Sequence, residues 1–174
     1  IIEAIGSEVT KFKKGDRVKL LPSGFMTTIK AIEINGENIE EAYSPMSVSV
    51  TLMDDLDISR GDMIVKENNV PVISQDLDLM ICWMDSTNLK SRKKVIIKHT
   101  TNECMGMITD ILYKLDINTL HSIKDFENFK LNDIGRIKIR SSKPLFYDSY
   151  KKNRHTGSII LIDPNTNATI AAGM

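Results

Sequence analysis

The side chains of this sequence that could bind a metal ion are three scattered histidines, two cysteines and a short run of aspartates. His99 and Cys104 come nearest to a ligand pair, because few residues separate them. In a strand pair, that spacing predicts side chains on opposite faces of the sheet, so we expect no shared metal ion. Cys82 and Cys104 both occur in apolar runs, which predicts buried thiols that act as small hydrophobic groups.

The aspartates Asp54, Asp55 and Asp57 allow two interpretations. Carboxylate oxygens at this density could bind a divalent cation. The alternative is a solvated loop, and we favour it because no glycine-spaced calcium loop surrounds the three residues. The following Arg60-Gly61-Asp62 matches a cell-adhesion tripeptide, but three residues carry little information, and Gly61 more simply predicts a turn before a strand at 63–65.

A basic and aromatic segment near the carboxyl end could grip phosphate or an acidic partner. Its members are Tyr147, Tyr150, Lys151, Lys152, Arg154 and His155. The alternative is a solvated loop before the last strands. The formal net charge of the whole chain is zero, which favours the loop and argues against a large nucleic-acid footprint.

The nucleotide-binding and hydrolase motifs that a sequence can display are missing from this chain. It has no Gly-x-x-x-x-Gly-Lys-Ser/Thr phosphate loop, no Asn-Lys-x-Asp guanine-reading motif, no Asp-x-x-Gly switch motif and no Gly-x-Ser-x-Gly elbow. We therefore predict no catalytic residue, no cofactor-binding residue and no metal ligand in this sequence. No apolar stretch approaches the roughly 20 residues that a membrane-spanning helix needs, so we expect no membrane partner.

The elements that position these side chains are short strands separated by turns. The expected fold class is therefore all-β. The alternation of Val48, Val50 and Leu52 predicts one shared buried face. Ile137 and Ile139 alternate with cationic residues in the same way. Residues 104–115 are apolar on both faces, which predicts a central barrel strand or one covered by a second domain. A short helix is expected at 123–129, and a strand at 16–21 ends at the Pro22–Gly24 turn.

The carboxyl-terminal residues read as a β-hairpin. An apolar run, Ile159–Ile162, meets an Asp-Pro-Asn-Thr-Asn turn and then the small residues Ala168–Gly173. A composition shift near Glu67–Pro71 separates an earlier set of short strands from a later, longer set. The simplest organisation is two tandem β-barrels at 1–68 and 69–174.

Seven segments, in this order along the chain, resemble one protein family. They are Lys14–Gly24, Glu40–Met46, Asp57–Met63, Cys82–Asp85, Ile97–Thr100, Asp116–Leu120 and Tyr150–Met174. Together they are similar to the region that follows the GTPase domain in the GTP-binding large subunit of bacterial sulfate adenylyltransferase (ATP sulfurylase). That family belongs to the translational-GTPase superfamily, with elongation factors Tu and 1-alpha.

The resemblance implies that 1–68 is a first barrel lacking its opening strand and that 69–174 is a complete second barrel. It implies that GTP and Mg²⁺ bind in a preceding GTPase domain that this sequence lacks. It also implies a cytoplasmic partner, the catalytic sulfurylase subunit. That subunit joins sulfate to ATP and contains the sulfurylase active site. We further expect the exposed edge of the truncated first barrel to allow self-association.

The elongation factors supply the alternative, in which the two barrels help to hold aminoacyl-tRNA. Lys14–Asp16, Arg60-Gly61 and His99-Thr100 have rough counterparts in those factors. Met84-Asp85 and the Ile160–Asp163 turn favour the sulfurylase branch, as does the Pro22–Gly24 turn.

Overall fold

The computed structural model describes residues 11–174. All the regular secondary structure in that range is β-strand. The all-β fold class is therefore confirmed. No helix in the described part of the chain has the length and apolar character needed to cross a membrane. The strands are β1 Phe12–Lys13, β2 Arg17–Leu21, β3 Met26–Ile34, β4 Glu37–Ile39, β5 Glu41–Ala42, β6 Ser49–Leu52, β7 Met63–Lys66, β8 Val72–Trp83, β9 Lys94–His99, β10 Asn102–Leu115, β11 Ser122–Ile123, β12 Ile134–Tyr147, β13 Ile159–Ile162 and β14 Thr169–Gly173.

The chain divides into two compact units. Of the described residues, the first unit holds 11–72 together with 146–157, and the second holds 73–145 with 158–174. The sequence placed the division between 68 and 69, and no pattern in it indicated that 146–157 groups with the earlier strands. Residues 1–10, which begin the predicted first barrel, lie outside the described residues.

The first unit is built on two neighbouring antiparallel strands. β2 pairs with β3 and β7, β3 also pairs with β4 and β6, and β1 pairs with β5. The β3–β4 hairpin turns on Asn35 and Gly36, whose φ angles are 52° and 85°. Two central residues with positive φ form the tight turn whose twist matches the flanking strands, and Asn-Gly is its preferred sequence. The strand expected at 16–21 is confirmed as β2.

Alternating apolar residues of these strands form the core of the first unit. Val18, Ile29 and Ile32 are buried together with Ala42. Val48, Val50 and Leu52 pack against this cluster, which confirms the shared face that their alternation predicted. Fully burying an aliphatic side chain of this size stabilises a fold by about 1.5–3 kcal/mol.

The second unit is a closed barrel. Its strands follow the order β10, β12, β8, β14, β13, β9, and β9 pairs again with β10, so the sheet closes on itself. The hairpin predicted at the carboxyl end is confirmed as β13–β14, and it lies between β9 and β8 in the sheet. β11 pairs antiparallel with the last two residues of β10.

The barrel interior follows the two-residue period of its strands. On β12, Ile137 and Ile139 are buried and the cations between them point outward, as expected. The barrel strand predicted at 104–115 is confirmed as β10, which pairs with β9 on one side and β12 on the other. Cys104 and Ile108 are buried there, whereas Met105 and Met107 are 43% and 39% exposed. The outer face is apolar at Met105 and Met107, and no strand or loop within residues 11–174 covers these two side chains.

The prediction of a short helix at 123–129 was wrong. That segment contains the end of β11 and then a bridge between Phe129 and Leu89. The amide of Leu89 donates to the carbonyl of Phe129 at 2.9 Å, and the Phe129 ring is buried. A tertiary anchor of this kind overrides a weak local preference for helix.

Candidate functional site

The densest charged cluster among the described residues of the second unit surrounds Lys93. Its ammonium group lies 3.0 Å from a carboxylate oxygen of Asp163 and 3.9 Å from one of Asp85. All three side chains are largely covered, at 24%, 14% and 20% exposure. The cluster joins the segment after β8 to the turn between β13 and β14.

The β13–β14 turn holds Asp163 in place by local hydrogen bonds. The Asp163 carboxylate accepts the backbone amides of Asn165 at 2.9 Å and Thr166 at 3.3 Å. The backbone amide of Asp163 donates to the Ala168 carbonyl at 2.9 Å. An aspartate that accepts from the amides two and three residues later is a common way of starting a turn.

The segment after β8 holds Asp85 in a similar way. The Asp85 carboxylate accepts the amide of Thr87 at 3.0 Å, and the indole N–H of Trp83 donates to the Thr87 carbonyl at 2.8 Å. The Trp83 ring is fully buried, and the Lys93 ammonium lies 5.9 Å from its centroid. The ring therefore anchors this loop and offers the lysine a cation–π contact.

Both carboxylates of the cluster favour the ionised form. The amide of Asn165 and the Lys93 ammonium lower the pKa of Asp163 below its ordinary value of 3.8. The amide of Thr87, with a smaller effect of Lys93, lowers the pKa of Asp85, although the nearby charge of Asp163 opposes this. Two carboxylates and one ammonium leave one negative charge at neutral pH, which disfavours the binding of a phosphate.

An open depression of about 630 Å³ surrounds the cluster. Its lining adds polar and apolar groups to the charges, and these are Met84, Ser86, Thr87, Leu131, Asn165, Thr166, Ala168, Thr169 and Ile170. Lys93 is engaged by its two aspartates and is no free nucleophile. The arrangement can hold two loops together and offer hydrogen bonds to a neighbour, but it does not assemble a reaction centre.

Sequence reasoning did not predict this cluster. Asp163 was identified as a turn residue and Asp85 as part of a family segment, whereas Lys93 carried no signal. The pairing of Lys93 with Asp163 joins positions seventy residues apart. A contact at that separation depends on the barrel closing, and no local pattern encodes it.

The basic and aromatic segment, for which the sequence favoured a loop over a binding element, forms a compact loop of the first unit. Asp148 accepts a hydrogen bond from the Thr156 hydroxyl at 3.0 Å and pairs with Lys152 at 3.2 Å. Arg154 lies 6.0 Å from the centroid of the Tyr150 ring. One carboxylate thus neutralises part of the basic charge, which agrees with the loop that the sequence favoured.

The aspartates of the predicted acidic loop are exposed and do not converge. The Thr27 hydroxyl donates to Asp54 at 2.7 Å, while Asp55 and Asp57 face solvent. Gly61 has a φ of 101° and precedes β7, so the predicted turn is confirmed. Among residues 11–174, no three histidine, cysteine, aspartate or glutamate side chains come together in a group that could hold a metal ion.

The predicted orientation of His99 and Cys104 was wrong. Both side chains are buried in the barrel, His99 at the end of β9 and Cys104 near the start of β10. The chain reverses between them, and Asn102 is the register partner of His99. Counting residues along one strand therefore misjudged their faces. Burial raises the pKa of the Cys104 thiol, which keeps it protonated.

Proteins of known name that are similar to this chain point in one direction. The "Bifunctional enzyme CysN/CysC" of Mycobacterium tuberculosis (strain CDC 1551 / Oshkosh) is 47% identical over 93% of this chain and 26% of its own length. The "Sulfate adenylyltransferase subunit 1" of Bacteroides fragilis (strain YCH46) is 42% identical over 93% of this chain and 34% of its own length. The chain therefore spans about a quarter to a third of these relatives.

A solved structure and a family model add the fold. The crystal structure of Sup35 complexed with GDP superposes with a TM-score of 0.82 at 17% identity, covering 94% of this chain and 40% of that one. This likeness confirms the elongation-factor-like β-barrel architecture. The family model described as "GTP-eEF1A C-terminal domain-like" matches residues 76–174, which include most of the closed barrel and its last hairpin. The chain therefore belongs to the GTP-eEF1A C-terminal domain-like family, and the proteins named as sulfate adenylyltransferase subunit 1 are among its relatives.

Proposed function

We propose that this chain is the barrel region of the GTP-binding subunit of sulfate adenylyltransferase. In this role it transmits the GTPase state to a catalytic subunit that forms adenosine 5′-phosphosulfate and pyrophosphate from ATP and sulfate. The observation that carries the proposal is the identity of 41–47% over 93% of the chain with proteins named for this enzyme. Identity at that level extends across both units, not across the matched family domain alone.

The site chemistry supports a coupling role over a catalytic one. Lys93 is occupied by Asp85 and Asp163, and the local charge is negative where a nucleotide would require cations. The sequence has no phosphate loop, and the described residues do not form a metal-ligand group. The described residues do not fit GTP with Mg²⁺, which supports the proposal that both bind in another domain of the protein.

Rigid barrels suit a subunit that responds to a nucleotide bound elsewhere. A ligand shifts a protein between two states by contacting them differently, and rigid units carry that shift over distance. In the proposed assembly these units contact the catalytic sulfurylase subunit in the cytoplasm. The coupling would then arise from contacts that differ between the GTP and GDP states.

The test is co-purification and assay of the protein expressed from its whole reading frame. We expect it to bind the catalytic sulfurylase subunit of the same organism and to make adenosine 5′-phosphosulfate formation dependent on GTP. The measurement is radiolabelled sulfate incorporation with GTP, with GDP and without nucleotide. The catalytic subunit alone is the control for activity that does not depend on coupling.

Two results would contradict the proposal. One is a protein that leaves adenosine 5′-phosphosulfate formation unchanged at every nucleotide condition. The other is tight binding of aminoacyl-tRNA with a steep dependence on salt concentration, which is the behaviour of a translation factor.

A further inference from the structure

One side of the barrel's outer surface is apolar across three adjacent strands. Met105 on β10, Ile96 on β9 and Ile162 on β13 are direct register partners, so their side chains form one row on the outer face. Met105 is 43% exposed, and the other two are half-buried. We call these residues, with Met107 and Ile160, the apolar row.

Met107 and Ile160 extend the row in both directions. Both point outward from strands of the same sheet, with exposures of 39% and 40%. Single exposed apolar residues are normal on a protein surface, but a contiguous group across several strands marks an interaction site. Methionine is also common on surfaces that bind partners, because its flexible side chain adapts to them.

Two lysines of β9 border the apolar row. Lys94 is the register partner of Met107, and Lys98 is the partner of Ile160. On the other side, Arg140 of β12 is also a register partner of Met107, and it is paired with Asp76. Of the other cations of the second unit, six lie in none of the recorded ion pairs, while Lys93, Lys114 and Arg136 lie within ion-pair distance of a carboxylate.

None of the ion pairs found within residues 11–174 includes Lys94 or Lys98. Glu103 is the register partner of Lys98, so the local charge of this border is about one positive unit. These two lysines are available for carboxylates that come from outside the second unit.

The chemistry of the row selects one kind of occupant. It fits a protein surface that presents aliphatic side chains bordered by carboxylates, because such a surface covers the row and neutralises the lysines. RNA fits poorly, since methionine and isoleucine give no aromatic stacking surface and two lysines contact few phosphates. A second copy of this chain would bring its own lysines against the same lysines.

We propose that the apolar row, with Lys94 and Lys98, is the surface on which the catalytic sulfurylase subunit docks. This inference rests on the proposed function and adds to it the position of the contact. The docking patch of that subunit is then apolar and acidic. Salt weakens the complex, because part of the attraction comes from exposed charges.

Two matched charge reversals, one beside the apolar row and one remote from it, test the proposal. Lys98→Glu changes the border of the apolar row, and Lys124→Glu makes the same change after β11, which pairs with the far end of β10. We expect Lys98→Glu to weaken binding of the catalytic subunit about tenfold, as loss of a close charge pair does. We expect Lys124→Glu to leave the dissociation constant within about twofold, because a charge remote from the interface contributes little.

A second variant tests the apolar part of the contact. Ile96→Asp puts a charge at the centre of the row, and we expect it to weaken binding by about a hundredfold, as loss of an interface anchor does. The circular dichroism spectrum and melting temperature of the variant, compared with those of the unaltered protein, show whether it is folded. Binding is measured by calorimetry with the protein from its whole reading frame.

The outcomes separate this inference from the proposed function. If the unaltered protein does not bind the catalytic subunit, the proposed function fails and the inference fails with it. If the unaltered protein binds, and folded Lys98→Glu and Ile96→Asp variants bind equally well, the docking surface is wrong while the proposed function stands. Loss of self-association or of RNA binding in these variants, with subunit binding intact, would also overturn the inference.

Discussion

Two sides of the barrel differ in the contacts that their outward side chains make. Where β8 and β12 meet, Arg136 bonds Asp78 at 2.6 Å and Arg140 bonds Asp76 at 3.0 Å. Both arginines of this charged side are therefore paired within the barrel. On the apolar row side, which begins where Met107 is the register partner of Arg140, the outward residues are methionines and isoleucines, and the bordering lysines Lys94 and Lys98 lie in none of the recorded ion pairs.

Different constraints therefore determine the residues on the inner face and on the outer face of these strands. Inside, both sides contribute the same kind of residue, for example Ile97 on β9 and Ile139 on β12, at 0% and 1% exposure. Folding therefore does not require the two outer faces to differ. A difference that folding does not require points to binding.

The largest effects should be equal on the two sides, because they come from the shared interior. Ile97→Ala and Ile139→Ala each remove buried methyl groups and leave a cavity, so each should cost about 2–5 kcal/mol of the free energy of unfolding. Denaturant titration followed by Trp83 fluorescence measures both variants.

A substitution at Gly106 tests the same shared interior from the other direction, by adding atoms to it. A side chain at Gly106 on β10 would collide with Ile97, and it would come within 3.3 Å of the Arg140 carbonyl. We therefore expect Gly106→Val to be at least as costly as Ile97→Ala, since overpacking is added to strain. If Ile97→Ala were neutral while Ile139→Ala was costly, the two sides would not share one core.

The next effect concerns the turn that carries the β13–β14 hairpin, and with it Ile160 and Ile162. Lys93→Met keeps most of the side-chain packing on Trp83 but removes the charge that faces Asp163 and Asp85. We expect a loss of stability smaller than that of the Ile97 variant and larger than that of an exposed ion pair. Thermal unfolding of the two variants side by side gives the order.

The same cluster predicts a dependence on acid. The pKa values of Asp163 and Asp85 are lowered in the fold, so their contribution is complete above the ordinary value of 3.8 and is lost as the pH falls through the lowered values. Lys93→Met removes one cause of the lowering, although the backbone amides remain. The variant should therefore lose less stability than the unaltered protein between neutral pH and pH 3. Parallel acid curves would contradict the role of Lys93.

Local patterns predicted the inner face well and the site poorly. Alternation correctly identified the buried Ile137 and Ile139, and turn residues identified the final hairpin, because both are local properties of the chain. The patterns did not show that Met105 and Met107 are exposed, since a residue type does not reveal whether another surface covers it. They failed for Lys93 with Asp163, because their contact requires a closed barrel between distant positions.

A smaller effect is expected where the charged side is broken. Arg136→Ala removes the contact with Asp78, and both side chains are largely exposed, at 46% and 41%. Exposed ion pairs contribute about 0.2–1 kcal/mol, and salt screens them. The loss should shrink in high salt, and Lys138→Ala on the same strand is the control for a cation outside the recorded ion pairs. A loss that exceeds that of Lys93→Met would show that the charged side contributes more to the fold than its exposure allows.

The smallest effect on stability should come from the apolar row itself. Ile160→Thr keeps a β-branched side chain on an outward strand position and removes exposed apolar surface, so stability should change by no more than about 0.5 kcal/mol. The same replacement at the buried Ile159, one residue earlier on β13, places a hydroxyl inside the barrel and should cost at least about 1 kcal/mol. Equal costs at the two positions would mean that the outer face is part of the core, and the contrast between the two sides would then reflect folding instead of binding.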